Sequence, residues 1–189
     1  MPRRIAASVL LVTAFVSSCK RSADQDSRPA GGQNDEPELV ATTPSDFVEH
    51  IAGDTGVTLR APKAWRAAPC RGNTKLNLIA DELGRSVNLV VVPSPESWTL
   101  ERTVQTADTG LAGQFPGFKL HKADIIRLGG QRAARIVYEA VPNDLKLRFC
   151  QLFILKNDKQ HILTYTARFD DFDELLPTFE QVAVSVRVP

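Results

Sequence analysis

Three cysteines and three histidines are the residues best suited to chemistry in this 189-residue chain. An ionised thiol is a nucleophile or a metal ligand, and two thiols can close a disulfide. An imidazole exchanges protons near neutral pH or binds a metal. The histidines, His50, His121 and His161, stand far apart, and none has a partner at H-x-x-x-H or H-E-x-x-H spacing. The nearest approach is His121 with Asp124, and three residues along a strand place two side chains on opposite faces. No metal site is expected. Asp170, Asp171, Asp173 and Glu174 lack the spaced ligands and glycine turn of a calcium loop, and read as a helix start with a solvated face. There is no G-x-S-x-G, phosphate loop, G-x-G-x-x-G or C-x-x-C. No catalytic residue and no cofactor is assigned. A hydrolase would need a site assembled from distant loops.

Cys19 stands in a different context. Arg3 and Arg4 make a short basic start, and Ile5 to Val16 is almost wholly apolar. At about 1.5 Å per residue this run spans about 18 Å, against about 30 Å of bilayer hydrocarbon. It is too short to cross, and with small residues after it the pattern is that of a secretory signal peptide. Val16-Ser17-Ser18-Cys19 resembles the bacterial lipobox. The resemblance implies that Cys19 takes a diacylglycerol group, that residues 1–18 are removed, and that Cys19 becomes an acylated N-terminus. More than one acyl chain, at about 0.8 kcal/mol per buried CH₂, anchors a protein stably. Ser17 to Lys20 also spells S-x-x-K, but cleavage before Cys19 would separate the serine from the lysine.

Removing residues 1–18 lowers Lys+Arg from 23 to 21 against 22 Asp+Glu, a net charge near −1. That balance argues against a nucleic-acid partner. Residues 19–44 comprise the lipidated cysteine and a stretch rich in Asp, Ser, Pro, Gly and Gln with no apolar period. They read as a disordered tether spanning roughly 25–30 Å. Residues 45–189 are then one domain of ordinary size. In an oxidising compartment the two remaining cysteines, Cys70 and Cys150, are expected to pair. The alternative is two separate thiols, with Cys150 buried mid-strand.

The elements follow from the apolar spacing. Ser45 to Ile51 is an entry segment. Strands are expected at Val57–Ala61, Leu76–Ile79 and Ser86–Val92. The period then lengthens: Leu100, Val104, Ala107, Leu111 and Phe115 mark one helical stripe, with Thr99 as N-cap. Four strands follow, Phe118–Leu128, Arg132–Val141, Leu145–Leu155 and Gln160–Phe169. Gly129-Gly130 and Asn157-Asp158 make tight turns between them. Phe172 to Val186 closes the chain as a helix, with Asp171 and Glu174 spaced as a capping box and Pro177 forcing a kink or a late start. The fold class is α+β: a mainly antiparallel sheet of about six to seven strands with two main helices packed on it. Arg127, Arg132, Arg135, Lys146 and Arg148 are not expected to form one patch, since Arg132 and Arg135 face opposite ways. Trp65 and Trp98 are expected to pack rather than bind.

This layout is specific in places. A strand leads to Pro62-x-x-Trp65, and a strand pair and one amphipathic helix follow. A strand ends Leu128-Gly129-Gly130 before Ala133-Ala134-Arg135-Ile136-Val137-Tyr138, and the last helix ends Ser185-Val186-Arg187-Val188. Together these resemble the DcrB-type bacterial lipoproteins and the wider PsbP-like fold group. That group includes a photosystem subunit, nuclear transport factors, mycobacterial lipoproteins and chaperones of secreted toxins. The resemblance implies a non-catalytic binding or adaptor module, held to the membrane through the lipid on Cys19 and facing a protein partner in the envelope. A chaperone or immunity role for a secreted effector is the alternative. Lys20, where an aspartate retains enterobacterial lipoproteins at the inner membrane, points to the outer membrane of a Gram-negative cell.

Overall fold

The computed structural model describes residues 36–189. Cys19, the signal segment and the first part of the tether lie outside the described residues. Ten strands and two α-helices follow in order. They are β1 (Glu38–Leu39), β2 (Phe47–Ile51), β3 (Thr58–Pro62), β4 (Arg66–Ala67), β5 (Thr74–Ile79) and β6 (Ser86–Pro93), then α1 (Leu100–Ala112). After it come β7 (Lys119–Leu128), β8 (Gln131–Ala140), β9 (Leu147–Lys156), β10 (Lys159–Arg168) and α2 (Phe172–Val184). The expected α+β class is correct. The main sheet has eight strands in the order β1-β7-β8-β9-β10-β6-β5-β4, and β2 and β3 form a separate pair. Only β1 pairs in parallel, on β7; the other pairs of the sheet are antiparallel. The count exceeds the expected six to seven because β1 and β4, two residues each, are too short to show a period.

The hairpin turns form where the sequence places them. Gly129 and Gly130 have φ of 56° and 85°, and Asn157 and Asp158 have 53° and 55°. A two-residue primed turn needs positive φ at both positions, which glycine takes without strain and Asn and Asp tolerate. Thr99 caps α1 as expected, its Oγ1 accepting from the Arg102 backbone N–H at 3.1 Å. The last helix differs from expectation. It begins at Phe172 and runs through Pro177. Asp171 makes no side-chain cap bond, and Glu174 turns away to accept from Arg85 Nη1 at 2.8 Å.

The two faces of the sheet carry two cores. On one, α2 and the β2–β3 pair cover Leu78, Leu89, Cys150, Leu152, Leu163 and Tyr165. Tyr165 packs between Phe172 and Phe179 of α2, at 5.0 and 5.3 Å between ring centroids. On the other, α1 lies against β7, β8 and β9, with Tyr138 and Phe149 stacked at 4.8 Å beneath Phe115.

Residues 36–44 also contact the domain. Glu36 takes both Nε and Nη2 of Arg132, at 2.9 and 2.6 Å, and the Arg127 N–H donates to the Pro37 carbonyl at 3.0 Å. Thr43 Oγ1 donates to the Gln181 carbonyl at 3.2 Å. Residues 36–44 therefore form a strap along the β7 edge.

Candidate functional site

The cysteines do not form a site. Cys70 is exposed in the connection between β4 and β5, Cys150 is buried on β9, and both thiols are free. Strands β6 and β10 stand between β5 and β9. A disulfide needs Cα atoms within about 7 Å. The expected Cys70–Cys150 bond is not formed in this structure. Burial pushes the Cys150 thiol up to about 12, which leaves it unreactive.

The histidines are also dispersed. His50 lies on β2, His121 on β7 and His161 on β10. Among the described residues no three His, Cys, Asp or Glu side chains gather as metal ligands. His161 sits in register between Val91 and Ile154, buried, with neither ring nitrogen hydrogen-bonded. Burial holds its pKa, and that of His50, below the ordinary imidazole value. His121 has a partner that spacing alone does not suggest. The β7–β8 register shifts between Leu120 and Lys122, and His121 Nε2 comes within 3.0 Å of Glu139 Oε2. Lys146 Nζ lies 3.8 Å from the same oxygen. Burial opposes ionisation of Glu139, but the His121 hydrogen bond and the nearby positive charges win and hold the carboxyl below its usual range. Asp124 takes Arg135 instead, at 2.9 and 2.6 Å.

The arginines alternate as expected. Arg132 reaches Glu36 and Glu101 on the α1 side, and Arg135 reaches Asp124 on the α2 side. Lys146 and Arg148 flank the Phe169 ring at 3.5 and 4.3 Å. Trp65 is buried in the core. Trp98 donates from Nε1 to Thr103 Oγ1 at 2.8 Å, and the Arg102 guanidinium lies 5.1 Å from its ring centroid.

The arrangement with the clearest chemistry was missed by sequence reasoning. Asn77 on β5 is paired with Asn88 on β6, Asn88 with Thr164 on β10, and Thr164 with Gln151 on β9. The four side chains form one polar row across the sheet, on the α1 face, and all four are buried. Gln151 Nε2 donates to Thr164 Oγ1 at 3.3 Å, and Asn77 Nδ2 to the Pro69 carbonyl at 3.5 Å. Asn77 Oδ1 and Gln151 Oε1 have no hydrogen-bond partner. Val90, Ile162 and Phe153 lie beside the row in the same core. Trp98, Thr106, Gln160 and Phe153 line the crevice between α1 and the sheet. Amides and hydroxyls donate and accept hydrogen bonds but move no protons at neutral pH. The row can therefore donate and accept hydrogen bonds but supplies no group for proton transfer. Its trace in the sequence is small: a polar residue at the alternate position of three otherwise apolar strands, and Thr164 on the fourth.

The fold is PsbP-like. A cyanobacterial PsbP from Synechocystis matches over 86% of this chain and 98% of its own, with a TM-score of 0.57 and 14% identity. LpqN of Mycobacterium tuberculosis, described as involved in cell envelope biogenesis, matches over 76% of this chain and 92% of its own, with a TM-score of 0.54 and 17% identity. The Ran-binding protein Mog1p of Saccharomyces cerevisiae matches over 75% and 95%, with a TM-score of 0.57 and 8% identity. No protein-family model and no curated protein sequence matches the chain.

Proposed function

We propose that this chain is an exported lipoprotein of the DcrB type, anchored through Cys19, whose domain acts as a non-catalytic binding module facing the periplasm. The observation that carries the binding role is the polar row Asn77–Asn88–Thr164–Gln151, which offers aligned hydrogen-bonding atoms and no titratable group. The lipobox supports the anchor, and the strap supports a fixed point of attachment: Glu36, clamped by Arg132, is where the tether meets the domain. Sixteen residues separate Glu36 from Cys19. As a coil they would span roughly 20–24 Å, which would keep the domain close to its membrane and free to turn. Two neighbours in fold are described by envelope biogenesis and by protein binding, and both descriptions agree with this reading.

Mass spectrometry of the N-terminal peptide tests the anchor: a diacylated Cys19 is expected, and an unmodified chain beginning at Met1 or at another cleavage site overturns it. Cross-linking of the lipidated protein in living cells tests the binding role. One dominant captured protein, reduced when Cys19 is replaced by alanine, supports it. A clean result with no protein partner counts against it.

A further inference from the structure

We infer that the outer edge of β7 is a second docking site, which takes an extended protein segment of alternating apolar and acidic residues as a further strand of the sheet. That the occupant is a separate protein rests on the binding-module reading above. β7 is ten residues long, and on its outer side β1 pairs only with Arg127 and Leu128. One bond fixes the direction of the backbone there. The Arg127 N–H points away from β8, to the Pro37 carbonyl at 3.0 Å. Backbone groups alternate along a regular strand, and the β7–β8 register is regular from Lys122 to Leu128. Ala123 and Ile125 therefore turn their N–H and C=O groups outward as well. Pro37 has no N–H, so β1 cannot carry its ladder on to the Ile125 carbonyl. Among the described residues no strand pairs with this side of β7 from Lys119 to Ile126. Such an edge is a template for strand addition.

The two faces of the edge say what the added strand must carry. Ala123 and Ile125 stand opposite Ile136 and Ala134, on the α1 side. With Leu120 and Val104 they are only partly buried against that core. Apolar side chains on one face of an added strand would continue the core outward.

Lys122 and Asp124 point the other way. Asp124 is the one carboxylate between residues 119 and 126, and Arg135 holds it at 2.9 and 2.6 Å. Lys122 Nζ lies 3.4 Å from it, with its side chain 53% exposed. Lys119 is exposed, and Glu139 opposite it is held by His121. Lysines on an edge strand discourage indiscriminate pairing, and cross-strand charge pairs favour an acidic partner. One apolar face and one acidic face make an alternating segment.

The probe is a fluorescent ten-residue peptide of alternating valine and glutamate, titrated into the full-length chain. Binding is expected, and a photo-reactive group at the peptide's centre should map to residues 119–126. Ala123→Pro removes one outward N–H and leaves the β7–β8 bonds in place, so it should weaken binding about tenfold or more while the chain still melts cooperatively. Two further peptides, one N-methylated on its valines and one on its glutamates, carry the same test with the protein unaltered: at least one should fail to bind. Lys119→Gln with Lys122→Gln should weaken the glutamate peptide about threefold or more and spare a valine–glutamine peptide.

Parent-like binding to a folded Ala123→Pro chain, binding of both methylated peptides, cross-links outside residues 119–126, or no binding overturns the inference. So does an edge already taken by residues 1–35 or by a second copy, seen as cross-links from a photo-reactive residue at Lys122 without peptide. Peptide binding as expected, with no protein captured in cells, keeps the edge and removes the binding-module reading. Capture unchanged by Ala123→Pro, with no peptide binding, does the reverse.

Discussion

Arg85 and Glu174 join parts of the chain that are far apart in sequence: Arg85 Nη1 donates to Glu174 Oε2 at 2.8 Å. Arg85 lies at the start of the β5–β6 hairpin's second arm, and Glu174 in the first turn of α2. Arg85 also pairs through Nε with Asp81, four residues earlier in the same turn. Its side chain is 9% exposed, while that of Glu174 is 68% exposed. Glu174 is largely solvated, and Arg85 keeps Asp81 when Glu174 is removed, whereas Asp81 loses its cation when Arg85 is removed. Arg85→Ala is expected to lower stability by about 2–3 kcal/mol, because it leaves the Asp81 carboxylate without its partner in a partly buried site. Glu174→Ala should cost less than about 1 kcal/mol, as for an exposed ion pair. Urea denaturation of the two variants checks the order.

His161 makes stability depend on pH. Its folded pKa lies below the ordinary 6.5 because burial disfavours the charged ring. Below pH 6.5 the unfolded chain therefore takes a proton that the native state refuses, and stability falls as pH drops from 6.5 toward the folded pKa. Removing the ring removes this contribution. Denaturant midpoints measured from pH 7.5 to 5.5 should fall less steeply in His161→Leu than in the parent.

Glycine at position 117 is required by both conformation and space. Its φ is +64°, and a Cβ there would lie 2.7 Å from Val141 Cγ2. Gly117→Ala is expected to destabilise by about 1–3 kcal/mol. Adding Val141→Ala should relieve the clash but not the positive φ, so thermal melting should show partial recovery.

The cysteines should differ in reactivity. In a Cys19→Ala chain, a thiol reagent is expected to label Cys70 in the native protein and Cys150 only after unfolding, without a reductant. Failure to label either in unreduced, unfolded protein would restore a disulfide.

Gln151 separates recognition from stability. Its Oε1 is buried and unpaired, so Gln151→Leu is expected to be neutral or stabilising by about 1 kcal/mol. The same change should weaken capture of the partner in cells. A variant that melts no lower and captures as much as the parent would remove the row from the binding face.

Much of the architecture was legible because its signals are local. Thr99 caps α1 through a bond to a residue three positions on, and Gly129-Gly130 and Asn157-Asp158 make turns whose dihedrals depend on those residues alone. Arg132 and Arg135 face opposite ways because strand side chains alternate. The candidate site was not legible, for the opposite reason. Asn77, Asn88, Thr164 and Gln151 become neighbours only when β10 pairs with β6, across an intervening helix and three strands, in one particular register.

By itself, then, the sequence determined the order and type of the main elements, the hairpin turns, and the lipobox that suggests where the chain is sent. Apolar period, turn chemistry and short motifs act over a few residues, and a linear reading recovers them. The tertiary structure decided that Cys70 and Cys150 stay apart, that Glu36 is strapped to Arg132, that a one-residue register shift gives His121 to Glu139, and that four polar residues align beside α1. Each of these depends on strand order and register, which are set by packing the whole sheet between its two layers rather than by any one segment.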